Sequence, residues 1–361
     1  MMDALDIPAN EQLDVKSVWQ ALADAHRHLA ELKGLCESLP NSVLLIDTLS
    51  LQEAKDSSEI ENIITTHDEL YAYEPESGAA TGSAAKEVQN YVAALRVGFA
   101  DVHSSGLIRL STILAVQEAV ELNNAGLRKV PGTVLRNQST NEVVYEPPQD
   151  AVLIEKLMSA LVNFIHAEPE VDGLDPLLRM AITHHQFESI HPFYDGNGRT
   201  GRILNLLMLQ RDGLLNMPVL YLSRYITQTK AQYYQLLQST RVSGDWVPWC
   251  VYVLKGVAAT AKSEIGLIKN MRDLMQQTKH RLRDALPKIY SQELMNNLFR
   301  YPYTKIEFVE RALGVSRITA AKYLDALTEQ GFVEKQKKGR TNFYINRPLF
   351  NLLTQIRLDH E

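Results

Sequence analysis

The sequence predicts a mainly α-helical protein with one short β-hairpin in its middle and, at its C-terminal end, a helix-turn-helix with a two-stranded wing. Three observations carry this. Apolar residues recur at helical spacing through most of the first 285 positions. One pair of β-prone runs, Thr133-Val134-Leu135 and Glu142-Val143-Val144-Tyr145, interrupts them around a polar turn. After Pro287 the pattern changes to two short helices followed by paired strands.

A chain of 361 residues holds two or three compact units. The boundaries expected are a helical region at 1–100, a core at 101–285 and a C-terminal unit at 286–361. With 45% hydrophobic and 22% charged residues the chain falls outside the disordered and fibrous classes. A net charge of −6 provides no overall field toward nucleic acid or an anionic membrane. Cys36 and Cys250, the only cysteines, make neither a disulfide framework nor a CxxC zinc site and suit a reducing cytoplasm. The acidic start lacks the pattern of a signal peptide, and no run reaches about 18 apolar residues. A cytoplasmic protein that neither enters a membrane nor is secreted is expected.

In order, Val18, Leu22, His26, Leu29, Leu32 and Leu35 form the apolar stripe of a helix over 14–38, ended by Pro40-Asn41. A second helix is predicted over about 49–71, before a Glu-Pro-Glu-Ser-Gly loop and a run of small residues. Helical spacing resumes over 86–122 and stops at Asn123-Asn-Ala-Gly126, ahead of the hairpin. Asp175-Pro176 is a helix start, with Asp at the N-cap and Pro at N1, and Leu177, Leu178, Ala181, His185 and Ile190 continue its buried stripe. Another helix runs through Ile203, Leu204, Leu206, Leu207 and Leu209 to a C-cap at Gly213. Helical patterns then last to about residue 285.

Between these two helices lies His191-Pro-Phe-Tyr-Asp-Gly-Asn-Gly-Arg-Thr-Gly-Arg202. Gly196-Asn197-Gly198 ahead of a helix N-terminus offers backbone N–H groups that converge on phosphate oxygens. Asp195 supplies a carboxylate for Mg²⁺, a hard ion usually held by few protein groups together with substrate phosphates. Arg199 and Arg202, three apart, are placed to fork onto a leaving pyrophosphate. His191, with an ordinary pKa near about 6.5, suits removal of a proton from an attacking hydroxyl. Phe193 is expected to plug the loop into the core.

This string resembles the Fic motif, HxFx(D/E)GNGRxxR, at every specified position. The resemblance implies a Fic-type helical core under a β-hairpin flap, and transfer of AMP from Mg-ATP to a protein hydroxyl. It implies His191 as base, Asp195 as the Mg²⁺ ligand, and an ATP site of Gly196, Asn197, Gly198, Arg199 and Arg202. Gly198 marks the adenylylating form, since the kinase-like branch carries Lys there. Tyr233 is placed either beside the adenine or, with Tyr234, Trp246 and Trp249, in the core. The hairpin at 133–145 resembles the flap on which a target segment docks as an added strand. The chain itself is a possible target, and homo-oligomers are possible.

Ser57-Ser-Glu-Ile-Glu61-Asn62 resembles the family's inhibitory motif, (S/T)xxxE(G/N). It implies that Glu61 pairs with Arg202 and denies that guanidinium to the γ-phosphate, with Ser57 and Asn62 framing it. Glu61 orienting a water for AMP removal remains an alternative. Residues 303–347 resemble a winged helix, with Lys335, Lys337, Lys338 and Arg340 at the wing. Nine basic side chains there against five acidic ones leave DNA a possible partner through Arg317, Thr319 and Lys322, beside protein docking or dimerisation. Two rival functions are a nucleotide-sensing regulator and an enzyme with another nucleotide donor.

Overall fold

The computed structural model describes residues 2–38, 42–72, 83–137, 140–168, 172–338 and 341–354, with the side chains of 42–47 and 338 outside that description. The predictions at Pro40-Asn41, at the loop after residue 72, at Gln138-Ser139 and at Arg340 lie outside the described residues.

The chain opens with α1 (Asn10–Leu13) and α2 (Lys16–Glu37), followed by α3 (Ser42–Ile60), α4 (His67–Ala72), α5 (Ser83–Ser105) and α6 (Leu110–Glu121). The hairpin strands β1 (Leu135–Arg136) and β2 (Val143–Tyr145) come next, and then α7 (Ala151–Ile165), α8 (Pro176–Ile190) and α9 (Asn197–Arg211). α10 (Leu222–Gln228), α11 (Lys230–Ser243) and the long α12 (Val247–Ala285) complete the helical body. The protein is mainly helical, as predicted.

The predicted helix over 49–71 is in fact two helices. α3 begins at Ser42 and stops at Ile60, because Asn62 takes a left-handed conformation, φ 62°. Ile63 N–H donates to Ser58 O and Asn62 N–H to Glu59 O, both at 3.0 Å, which is the Schellman way of closing a helix. The helical stretch 86–122 likewise divides into α5 and α6 at Gly106, φ 69°, and the two pack on each other. The first hairpin strand sits one to two residues later than its predicted run, pairing Leu135 with Tyr145 and Arg136 with Val143 across an irregular register.

α8 and α9 occupy the middle of the body. Every α8 residue after Pro176 is buried, and α8 packs against α9, α7 and α12. Its start is as predicted: the Asp175 carboxylate accepts from Leu177 N–H at 2.8 Å. Polar groups on so buried a helix need partners. Arg179 pairs with Asp172 at 2.7 Å, His185 Nε2 is bonded to Leu237 O at 3.1 Å, and Trp249 Nε1–H donates to Ala181 O at 2.8 Å. The loop joining α8 to α9 is thereby held between two fixed helices.

The C-terminal unit holds α13 (Gln292–Arg300), β3 (Tyr303–Thr304), α14 (Ile306–Leu313), α15 (Arg317–Glu329), β4 (Glu334–Lys338), β5 (Thr341–Ile345) and α16 (Arg347–Thr354). The predicted helix, turn, helix and two-stranded wing are present, and β3 adds a third strand in the order β3-β5-β4, all antiparallel. Three of its cations are matched to carboxylates of the same unit: Arg317 to Glu307 at 2.7 Å, Lys335 to Asp325 at 2.8 Å and Arg347 to Glu334 at 2.6 Å. Among the described residues no helix is long and apolar enough to cross a membrane.

Candidate active site

His191 ends α8 in a left-handed conformation, φ 50° and ψ 60°, its N–H donating to Phe187 O at 2.9 Å. Arg128, buried beside it, secures the turn. Its Nε donates to His191 O at 2.7 Å, its Nη2 to Pro148 O, and its own N–H to Pro192 O at 2.9 Å. Burial, with the charges of Arg128 and Arg241, lowers the His191 imidazole to about 4, so the ring is neutral at pH 7.

Phe193 is fully buried, as predicted. Asn197 closes the loop from within: its Oδ1 accepts from Phe193 N–H and its Nδ2 donates to Phe193 O, both at 2.8 Å. The Asn197 side chain is therefore committed to the loop, and what it has to offer a ligand is its backbone N–H. Gly196 has φ 78°, and a side chain there would meet Glu121 Oε1 at 2.5 Å. Thr200 N–H makes the first helical bond of α9, to Gly196 O at 2.9 Å, so the N–H groups of Asn197, Gly198 and Arg199 stand ahead of the helical ladder. Asp195 is exposed on the loop, one carboxylate oxygen accepting from Gly196 N–H at 2.7 Å.

Arg199 and Arg202 flank this N-terminus, and carboxylates engage both. Arg199 reaches Glu87 of α5 at 3.1 Å and Glu121 of α6 at 2.6 Å. Arg202 is gripped by the end of α3: its Nε donates to Ser57 Oγ at 2.8 Å, and its Nη2 to Ser57 O at 2.9 Å and Glu61 Oε1 at 2.8 Å. Ser57 and Glu61, four residues apart, lie on one helix face, and the left-handed Asn62 ends the helix directly after them. Burial pushes the Glu61 carboxyl up, but the charge and hydrogen bond of Arg202 outweigh it and hold Glu61 below the usual carboxylate range. Lys230 Nζ donates to Asn62 Oδ1 at 3.3 Å.

Tyr233 is buried, its hydroxyl bonded to His184 Nε2 at 2.9 Å and its ring packed among Tyr234, Trp249 and Tyr252. Of its two predicted placements it takes the core; Tyr234 is the exposed member of the pair. The hairpin is anchored next to the site, since Tyr145 Oη donates to Ser189 O at 3.0 Å and the Arg241 guanidinium lies 4.2 Å over the Tyr145 ring.

Sequence reasoning missed Glu87, Glu121, Arg128, Arg241 and Glu188. Glu188 is buried near Arg202 and raised to about 7, mainly by burial. A charged residue in the otherwise enclosed α8 was the only local signal of it. The partners of Arg199 come from distant helices and leave no trace in spacing.

Three family models match successive parts of the chain. Residues 19–100 match the family model described as Fic/DOC family N-terminal, 108–209 match Fic/DOC family, and 274–349 match Protein adenylyltransferase SoFic-like, C-terminal domain. The protein adenylyltransferase fic-1 of Caenorhabditis elegans is 33% identical over 131 residues, 36% of this chain and 24% of that protein. The protein adenylyltransferase Fic of Nematostella vectensis is 30% identical over 156 residues, 42% of this chain and 34% of that protein. The matches thus span a quarter to a third of the length of these relatives. Among solved structures, a Fic family protein from Desulfovibrio desulfuricans covers 92% of this chain and 96% of its own, at TM-score 0.57 and 20% identity, a likeness of fold. With the three models in sequence and the His191 to Arg202 loop folded as one clasped turn on a helix N-terminus, the chain belongs to the Fic/DOC family.

Proposed function

We propose that the protein is an adenylyltransferase that moves AMP from ATP to a Ser, Thr or Tyr hydroxyl of a protein, and that Glu61 restrains it. One observation carries the restraint: the Glu61 carboxylate sits over Gly198, 2.2 Å from where a side chain would begin, and bonds Arg202 at 2.8 Å. It thereby fills the place where an anion would meet the N-terminus of α9. The names of the relatives support the reaction class.

In this reading the neutral His191 imidazole takes the proton of the target hydroxyl. The oxygen attacks the α-phosphorus, the bond to the β-phosphate oxygen breaks, and pyrophosphate leaves toward Arg199 and the backbone N–H groups of Gly198 and Arg199. Arg202 holds the γ-phosphate once Glu61 has withdrawn. Asp195 fits Mg²⁺ as a lone exposed carboxylate with one oxygen uncommitted, which suits an ion ligated mostly by phosphates and water. No cluster of three His, Cys, Asp or Glu side chains that could hold a metal occurs among the described residues. Mg²⁺, when bound, neutralises phosphate charge. Val143 and Val144, both exposed on β2, offer the edge on which a target strand would pair.

The test uses ATP labelled in turn at the α- and γ-phosphate with Glu61→Gly. Protein-bound label from the α-phosphate alone supports AMP transfer; label from the γ-phosphate, or from neither across a panel of candidate targets, contradicts it.

A further inference from the structure

The C-terminal unit touches the segment that carries Glu61. Thr48, on α3, donates its hydroxyl to Arg300 O at the end of α13, at 2.7 Å, and α13 packs on α3. Tyr71, on α4, stacks on Tyr303 of the three-stranded sheet with ring centroids 6.0 Å apart, and Phe350 of α16 meets both rings edge-on or tilted at 6.4 and 6.0 Å. Tyr303 Oη donates to Asp68 Oδ1, and Tyr71 Oη accepts from Gln52 Nε2 back on α3. Tyr71 and Tyr303 are both buried.

These contacts are continuous with the Glu61 grip. Gln52 precedes Glu61 by nine residues, roughly 14 Å along one rigid helix. A displacement at Tyr71 or Thr48 is delivered to the Ser57 and Glu61 end as motion of a rod, because α3 has no break before Ile60. The same rod is tied to the helical body by Asp56, paired to Arg224 at 3.0 Å, and by Glu53, which accepts from Tyr91 Oη at 3.0 Å. Its position is therefore set jointly by the catalytic body and the C-terminal unit.

We propose that the C-terminal unit serves as a clamp on α3 and α4 that keeps Glu61 on Arg202, so that loosening this interface releases the restraint. The proposal rests on the reading of Glu61 above and adds to it the element that sets its strength. It gives the three-stranded unit a function within the chain, in which a partner that binds the unit and pulls it from Tyr71 acts as an activator.

Two full-length variants test it, Tyr303→Phe, which removes the donor to Asp68, and Phe350→Ala, which removes the edge contact with Tyr71 and Tyr303. Neither residue approaches Arg202. With Glu61 present, AMP transfer is expected to rise about threefold to tenfold in Phe350→Ala and less in Tyr303→Phe. With Glu61→Gly, neither change should raise it further. No rise in a variant whose C-terminal unit stays folded overturns the clamp, as does an equal rise in the Glu61→Gly background. Hydrogen exchange of the amides at 48–61 decides the matter independently of activity. It should quicken in Phe350→Ala, and unchanged exchange overturns the clamp even if Glu61→Gly proves inactive, an outcome that would instead count against the adenylyltransferase reading.

Discussion

Gly198 has no side chain, and the Glu61 carboxylate stands where one would be: a Cβ built on residue 198 comes within 2.2 Å of Glu61 Oε1 and 2.9 Å of Arg202 Nη1. The two glycines of the Gly-Asn-Gly turn thus differ in kind. Both admit the close approach of a glutamate, but only Gly196 is also needed for its positive φ; Gly198 is helical, and the close approach alone calls for glycine there.

Gly198→Ala is therefore expected to displace the flexible Glu61 carboxylate and to cost about 1–3 kcal/mol of stability through the loss of its charged bond to Arg202. The cost should fall to a fraction of that in a Glu61→Gly background, where the obstructing carboxylate is gone. Thermal unfolding of the single and double variants measures this as a coupling between the two positions; additive losses would contradict it.

Asn197→Ala removes both partners of Phe193 from a buried turn. A buried backbone group left without a partner costs about 1–3 kcal/mol, so the variant should unfold at lower temperature and lose the loop geometry that carries His191. Asn197→Asp should not rescue it, because a carboxylate oxygen would then face Phe193 O. Denaturant unfolding of both variants is the check.

With His191 as the proposed base, its lowered pKa, about 4, is expected to set the acid limb of activity. The base works only when neutral, and the Glu61 charge raises the ring, so Glu61→Gly should keep its kcat/KM nearly unchanged from pH 7 to about 5 and lose it no higher than about 4. Arg241→Gln removes one of the charges that lower the ring and should move the limb upward. A limb near 6.5 in the Glu61→Gly enzyme would mean that the ring is not buried in the working state.

Glu61 is held below its ordinary value of 4.5, so its pair with Arg202 contributes stability above that pH and loses it as the pH falls through the lowered value. The stability difference between wild type and Glu61→Gln should be constant from pH 7 to about 5 and shrink below about 4.5. Thermal unfolding of both proteins across this range reads it directly.

Much of this was legible in the chain itself. The start of α8 at Asp175-Pro176 follows from side-chain chemistry confined to two residues, and the buried Phe193 from the apolar context of its loop. The break after Ile60 was not read, because Ile60, Ile63 and Leu70 carry the apolar pattern across it; only the left-handed Asn62 ends the helix, and an asparagine takes that conformation without announcing it. The pair of Glu61 with Arg202 was reached through two motifs, each with a residue type that demands a partner. The partners of Arg199 and the Arg128 hold on His191 O join segments 63 to 112 residues apart, and only the packing of α5, α6 and α8 decides which side chains meet. The predicted fork of both arginines onto one ligand requires them to exchange the carboxylates they now hold.

Whether Glu61 occupies the place of a phosphate on Arg202 is read by intact-mass analysis of wild type, Glu61→Gly and Glu61→Gly/His191→Ala after incubation with Mg²⁺ and ATP, with a candidate target or the protein alone. AMP addition is expected to be weak in wild type, at least tenfold greater in Glu61→Gly and absent from the double variant, tenfold corresponding to about 1.4 kcal/mol of restraint. Equal modification of wild type and Glu61→Gly would contradict it.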